Sequence, residues 1–513
     1  MRSPLHNVGG WPARRAAIAG GAPAVRDEER ALDAAAFEAR CARAAGWLAA
    51  QGVAPGDRVA LLLANRTAYL ELLLGAARIG AIAVPLNVRL AAPELRALFA
   101  DCTPRVLCYE AEQAELAGAA CAPGGFVPPV QLAVGGVPDA YEAALASAPA
   151  HADVAAVSPD DAMILMYTSG TTGMPKGALL PHRKTLFNSL NAQLFFETRS
   201  ADRVLVPLPL FHSFGLNILA LPALFAGAAL VLERRFDAER VWELVGRLGI
   251  TYLGGVPTMF RALHDALAVA PAGRFDLGTL RFLFTAGAAI PVDLIRAFEA
   301  RGLVLKQGFG QTETSVICCL DARDAIRKAG SVGRPVFHAD VRIVATESLA
   351  GPTDAWRTCA PGETGEIVVR GPITMLGYWQ RAEATAETLR DGWVRTGDLA
   401  VADAEGFVTL TGRARDLYIS GGENVYPAQV EAVYLEHPAV REIAVIGVPD
   451  PRWGEVGRAF VVLADGAALD PDALASFGRE RLARFKVPRD FVAIEALPRT
   501  VTGKVQKFAL KRD

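Results

Sequence analysis

Lysine is scarce in this chain. Of 53 basic residues only eight are lysine, at positions 176, 184, 306, 328, 486, 504, 507 and 511, so a lysine in a glycine-rich setting is informative. The seven cysteines include no C-x-x-C pair, and the adjacent Cys318 and Cys319 lack zinc-ligand spacing, which argues against a zinc ribbon and for a reducing, cytoplasmic setting. Neither sign of charge is in excess: 53 Lys and Arg face 55 Asp and Glu, and a net charge of −2 provides no field for gathering nucleic acid or an anionic membrane. Arg2, Arg14 and Arg15 are not followed by the apolar core of a secretory signal. The longest apolar run, Gly215 to Leu232, is interrupted by Asn217, Pro222 and Gly227 and reads as a buried helix followed by a core strand, Ala228–Leu232, rather than a transmembrane span. No internal repeat is visible.

What remains is a folded chain of 513 residues, 52% hydrophobic and 21% charged, too long for one hydrophobic core. Strand-like runs at Arg58–Leu63, Ala81–Pro85, Ala162–Tyr167, Arg203–Pro209, Ile250–Gly254 and Leu280–Thr285 alternate with amphipathic helices such as Ala238–Leu248, which predicts parallel sheets covered by helices. After about residue 345, short strands between Gly/Asp turns (Gly365–Arg370, Phe407–Leu410) suggest a partly antiparallel, barrel-like section. The last hundred residues read as helix Pro427–His437, strands Ile443–Gly447 and Ala459–Leu463, a helix near Pro471–Phe485 and strand Phe491–Ile494. The expected division is a domain 1–415 and a smaller one 416–513.

The sharpest motif is Tyr167-Thr-Ser-Gly-Thr-Thr-Gly-Met-Pro-Lys-Gly177. It leaves a buried strand with Gly170, Gly173 and Gly177, the hydroxyls of Thr168, Ser169, Thr171 and Thr172, and the charge of Lys176, the composition of a phosphate cradle. A proline precedes the lysine and a glycine follows it, so this is not a Walker A loop. A flexible linker is the competing reading, disfavoured because linkers rarely join a buried strand to a further apolar run.

This segment resembles the signature loop of the adenylate-forming enzymes, the superfamily of acyl-CoA synthetases, peptide-synthetase adenylation domains and firefly luciferase. Further segments match in family order. Leu208-Pro-Leu-Phe-His-Ser-Phe-Gly215 resembles the motif that flanks the acyl pocket, which implies wall positions for Phe211, His212 and Phe214, joined by Val256, Gly287, Ala288 and Gly310. Gln307-Gly-Phe-Gly-Gln-Thr-Glu313 resembles the segment that packs an aromatic by the adenine and holds phosphate and magnesium. Gly308, Phe309, Gly310, Gln311 and Thr312 are thereby implied at the nucleotide and Glu313 at Mg2+, with Phe309 where the family often has Tyr. A carboxylate suits that task because Mg2+ takes one or two protein carboxylates together with phosphate oxygens. Thr396-Gly-Asp398 resembles the ribose-binding segment, Arg413 matches a nucleotide-contacting residue, and Arg415 falls at the family's hinge, normally Asp or Lys. Gly421, Gly422 and Glu423 resemble the loop that meets the pantetheine of coenzyme A. Lys504, in Pro498-Arg-Thr-Val-Thr-Gly-Lys504, resembles the lysine of the first half-reaction.

The resemblance runs from the Gly52–Val59 turn to Lys507 and implies an α/β fold: a large N-terminal domain of two helix-covered sheets plus a distorted β-barrel, with a small mobile α+β lid. It implies an ATP-dependent ligase that forms an acyl-adenylate, releases pyrophosphate and passes the acyl group to a thiol, with Lys504, Glu313, Thr168, Lys176 and His212 as the catalytic set and the lid swinging about Arg415. Coenzyme A is the expected acceptor. A separate acyl carrier protein, a homodimer and luciferase-type oxidation stay open, as does a relative that keeps the fold without chemistry. Phe211-His212-Ser213 offers no carboxylate for an amino acid's amine. The small and aromatic pocket residues point to an apolar acid, a medium- or long-chain fatty acid ahead of an aryl, hydroxycinnamate or alicyclic one.

Overall fold

The computed structural model describes all residues except 122–123, 169–174, 289, 421–422, 500–504 and 513. The chain forms two compact units, Met1–Asp340 with Val369–Val394, and Val341–Val368 with Arg395–Asp513. Compactness thus groups the strands of the expected barrel-like section with the C-terminal hundred residues.

The larger unit is built on two sheets. In one, of nine strands, Pro23–Arg26, Ala229–Leu232, Arg203–Val206, Tyr252–Gly255, Phe282–Thr285 and Leu305–Gln311 run parallel side by side, with antiparallel strands at both edges. In the other, of seven, Ala162–Thr168, Ile82–Pro85, Arg58–Leu62, Val106–Glu110 and Val130–Val134 are parallel, and Lys176–Pro181 and Gly377–Tyr378 extend the edge antiparallel. Strands buried on both faces read as continuous Val/Leu/Ile runs, and Arg58–Leu62 and Phe282–Thr285 do so here. The helix Thr67–Arg78 is buried at every position.

Differences from the expected elements have local causes. The strand expected to reach Pro209 ends at Val206, because Pro207 and Pro209 cannot donate to a ladder. The apolar run from Gly215 is a π-helical segment, Phe214–Ala220, followed by an α-helix, Leu221–Ala226, with Pro222 in its first turn. Among the described residues no helix is long and apolar enough to cross a membrane.

The smaller unit holds most of a five-stranded sheet in which Trp393–Ala402 pairs antiparallel with Val408–Arg413. A second five-stranded sheet carries the long ribbon Val440–Asp450 and Gly454–Leu463, longer than the runs expected there because each strand supports the other. Helices Pro427–Tyr434 and Pro471–Arg481 cover it around Val430, Tyr434, Val445, Val461 and Leu474.

His182 opens the helix His182–Phe196 and ties down the N-terminus of the chain. Its Nδ1 accepts the Val8 N–H at 3.2 Å, which requires the neutral ring, and burial holds its pKa down from 6.5 to about 4. Between those values the unfolded chain binds a proton that the folded chain refuses, so stability falls as pH drops. The expected loss from this residue between pH 7.5 and pH 5 is about 2 kcal/mol. Urea unfolding of wild type and His182→Asn at the two pH values checks it, the variant giving the shallower dependence.

Candidate functional site

The larger unit places Thr168 opposite Lys176 across the antiparallel pair that frames the glycine-rich loop, with the Thr168 hydroxyl donating to the Lys176 carbonyl at 3.2 Å. Ser169, Gly170, Thr171, Thr172 and Gly173 lie outside the described residues. Gly377–Tyr378 pairs with the same strand, and the Tyr378 ring centroid lies 5.4 Å from Lys176 Nζ. Its hydroxyl donates to Glu313 Oε1 at 2.9 Å, and Met375 N donates to the Glu313 carbonyl at 2.8 Å. Lys176, Tyr378 and Glu313 therefore form one constellation beside Thr168. Tyr167, one residue earlier, donates to Asp101 Oδ2 at 2.6 Å, and burial with the neighbouring Cys102 and Asp101 keeps its phenol protonated. Asp101 also receives Arg381 at 2.6 Å, which fixes the base of the loop from behind.

Glu313 sits in the turn of a hairpin between Leu305–Gln311 and Ser315–Leu320. Gln311 and Thr312 are half-buried in that turn, and Phe309 is buried. Gly310 is small for a packing reason, since a Cβ there would lie 1.9 Å from the Ser315 carbonyl oxygen, and Gly308 likewise because a Cβ would meet the Phe284 ring at 2.7 Å. Among the described residues no group of three or more His, Cys, Asp or Glu could hold a metal. A single half-buried carboxylate oriented by a phenol, near a lysine and a hydroxyl, fits a magnesium ion that shares its remaining ligands with phosphate and water.

The residues expected to wall the acyl pocket stand at or beyond the C-terminal ends of parallel strands, where open α/β sheets bind ligands. Phe211 and His212 stand ring to ring at 4.6 Å. Phe214 opens the π-helical segment, a geometry frequent at functional sites. It lies against Gly254, where a Cβ would come 3.1 Å from its ring, and packs edge-on to Phe284 at 5.5 Å. Gly287, at φ +89°, is exposed and faces Val256 across a gap that a Cβ would narrow to 3.6 Å; Ala288 beside it is exposed too.

The smaller unit brings Asp398 and Arg413 together directly. They are cross-strand partners, and Arg413 Nε meets Asp398 Oδ1 at 2.8 Å, the carboxylate being buried. Thr396 receives the Asp398 N–H at 3.0 Å and donates to the Ile367 carbonyl at 2.8 Å, while Glu366 holds Arg395 bidentately and accepts Gly397 N. Arg415 is half-exposed, 3.8 Å from Asp416; burial and the like charge of Arg413 lower its proton affinity. Glu423 is exposed. Gly421, Gly422 and Lys504 lie outside the described residues. Flanking the latter, Arg499 and Val505 pair in an isolated bridge. Lys507 meets Glu431 at 2.6 Å.

The sequence reading missed Tyr378, Asp101, Glu366 and Lys184. Only Tyr378 carried a local signal, the aromatic run Gly377-Tyr-Trp379; the others act through tertiary contacts.

The profile of the family described as AMP-binding enzyme matches residues 12–379, and that described as AMP-binding enzyme C-terminal domain matches residues 429–504. The chain is 43% identical over 507 residues to a feruloyl-CoA synthase of an Amycolatopsis species, covering 98% of each chain. It is 37% identical over 473 residues to the long-chain-fatty-acid–CoA ligase FadD13 of Mycobacterium tuberculosis, covering 91% of this chain and 90% of that one. Among solved structures, ATP-bound MatB from Rhodopseudomonas palustris matches with a TM-score of 0.90 at 30% identity, covering 100% of this chain and 99% of that one.

Asp398→Asn keeps the side chain's size and removes the charge that holds Arg413. The expected outcome is about tenfold weaker binding of AMP by calorimetry, as for one lost charge-assisted hydrogen bond, in a protein that still folds. Unchanged AMP affinity would remove Asp398 from the site.

Proposed function

The chain belongs to the AMP-binding enzyme family and is an acid–thiol ligase; from that premise we propose that the acid it activates is aryl-substituted, a hydroxycinnamate or close analogue, ahead of the fatty chain that the sequence put first. The observation that carries this reading is the aromatic cluster behind Phe214. Phe284, fully buried, packs edge-on to Phe214, with its ring centroid 4.8 Å from that of Phe196 and 5.9 Å from that of Phe195, so Phe214 is backed by aromatic rings. A flat ring suits such a wall, because aromatic pairs gain from edge-to-face packing beyond the area they bury. The higher identity to a feruloyl-CoA synthase than to a long-chain-fatty-acid ligase supports the same choice.

The reaction has two halves. The substrate carboxylate attacks the α-phosphorus of ATP and pyrophosphate leaves; the thiol of coenzyme A then attacks the acyl carbon and AMP leaves. In the first half charge builds on phosphate oxygens, and groups already oriented toward that charge lower the barrier without reorganising. Thr168, Lys176 and the loop between them receive the phosphates, Asp398 accepts the ribose hydroxyls with Arg413 beside it, and Phe309, Gln311 and Thr312 border the nucleotide. Magnesium, held by Glu313 when bound, neutralises phosphate charge. His212 borders the acid's carboxylate. Lys504 serves the first half-reaction, and a movement of residues 416–513 about Arg415 exchanges it for Gly421, Gly422 and Glu423 at the coenzyme A side. The acceptor is free coenzyme A in the cytoplasm; a carrier protein and a homodimer are not needed by this scheme.

Pyrophosphate release across a carboxylate panel, with and without coenzyme A and with mass detection of the thioester, tests the proposal. Hydroxycinnamates are expected to exceed medium- and long-chain fatty acids by about tenfold or more in kcat/KM, the scale of a few methylenes of misfit. Fatty acids at or above parity would overturn the aryl reading, and no acid-dependent release at all would overturn the ligase scheme. Lys504→Ala is expected to lose adenylation by about a hundredfold or more while largely keeping thioester formation from supplied acyl-adenylate.

A further inference from the structure

The helix His182–Phe196 turns a polar face into the core: Lys184, Asn188 and Asn191, at i, i+4 and i+7, are 2%, 1% and 3% exposed. Apolar residues would fill such a face at lower cost, since a buried charge is expensive unless it is paired. Each of the three side chains has at least one structural partner, although Asn191 Nδ2 is buried without one. Lys184 Nζ donates to Ser315 Oγ; Asn188 donates to the Asn217 carbonyl and accepts Val316 N at 3.4 Å; Asn191 accepts His338 N at 3.0 Å. Lys184 and Asn188 thus grip two successive residues of the strand that leaves the Glu313 turn.

Ser315 is where that grip matters. It is fully buried with φ +59°, the left-handed conformation that costs a non-glycine residue about 1–2 kcal/mol. The turn before it closes through Thr314 N on the Gln311 carbonyl and Gln311 N on Thr314 Oγ1, both at 3.2 Å, and the ladder shifts register between Phe309 and Gly310. The backbone angle at Ser315 therefore sets where Glu313 stands relative to the strands. A glycine would adopt it freely; here a serine adopts it with a lysine on its hydroxyl. Burial presses the Lys184 ammonium toward neutrality, to about 7, as does the nearby Arg183, while the Glu313 carboxylate favours the charged form.

We propose that Lys184 is a positioning residue for the nucleotide half of the reaction: from inside the core it holds Ser315 in its left-handed conformation and fixes the turn that presents Glu313. Tyr378 restrains Glu313 from the opposite side chain end, so the carboxylate is held at both its backbone and its Oε1. The inference rests on Glu313 receiving the magnesium that accompanies ATP.

Two variants test it, Lys184→Met and the double variant Lys184→Met with Ser315→Gly, by calorimetric ATP binding over a Mg2+ series and by the separate KM values for MgATP and acid. Loss of such a supporting contact is expected to raise the half-saturating Mg2+ and the KM for MgATP about tenfold, with the acid's KM within about twofold. Added to Lys184→Met, Ser315→Gly supplies the left-handed angle without the lysine, so recovery of the Mg2+ dependence in the double variant reports positioning through Ser315 rather than lost stability. Wild-type Mg2+ dependence in folded Lys184→Met, no recovery in the folded double variant, or equal shifts in both KM values would overturn the proposal. Failure of the ligase scheme itself is distinct: wild type would then release no pyrophosphate with any acid.

Discussion

The hydrogen bond from Tyr378 to Glu313 joins two stretches of chain that the fold must bring back together. The larger unit is discontinuous, and Val369–Val394 returns to it after the chain has built strands elsewhere. That returning segment adds Gly377–Tyr378 to the edge of one sheet, sends Met375 N to the Glu313 carbonyl, places Trp379 N on the Gly177 carbonyl, and lays Arg381 and the Trp379 indole on Asp101. The edge of the seven-stranded sheet carries Lys176, and the edge hairpin of the nine-stranded sheet carries Glu313. Without the return, cation and carboxylate would belong to different sheets and lack the Tyr378 side chain that touches both. A phenolic hydrogen bond is directional where apolar packing is not.

The sheets explain why the polar groups collect where they do. Parallel strands with helices on both faces have apolar middles, so charged side chains are stable only at strand ends and in the loops beyond. Thr168 and Glu313 both stand at or just past such ends. The same geometry asks for small residues beneath the rings at those ends: Gly254 and Gly308 make room for the Phe214 and Phe284 rings. Pocket shape then follows from close packing, in which an aromatic ring against a glycine leaves little room for adjustment.

Much of this was legible in the residues. The alternating strands and helices of the larger unit and the helix Ala238–Leu248 to its ends followed from periodicity, while the cross-strand pairing of Asp398 with Arg413 emerged only in the fold. The strand ends were less legible because ladders, rather than composition, decide them: Val440–Asp450 and Gly454–Leu463 extend each other well beyond their apolar centres. Grouping the residues into units was legible only in part, since Val341–Val368 joins the C-terminal residues by sheet pairing across a long sequence gap. Glu366 and Asp101 were invisible for the same reason. Each acts on residues distant in the chain, and neither lies in a segment whose composition sets it apart.

Scarcity of lysine gives the final step. With arginine used for most surface cation work, a lysine in the core is a residue for which the planar guanidinium would not serve. Lys184 shows why: it is fully enclosed between a helix and a hairpin, and its compact ammonium reaches one serine hydroxyl where a five-donor fork would leave several donors unmatched. Lys306 repeats the pattern, buried with its Nζ on the Phe195 carbonyl and 4.6 Å from the Phe282 ring centroid. A near-neutral chain needs no global field where its few lysines are set individually: Lys176 stands by the Tyr378 ring, Lys184 on the Ser315 hydroxyl and Lys306 on the Phe195 carbonyl.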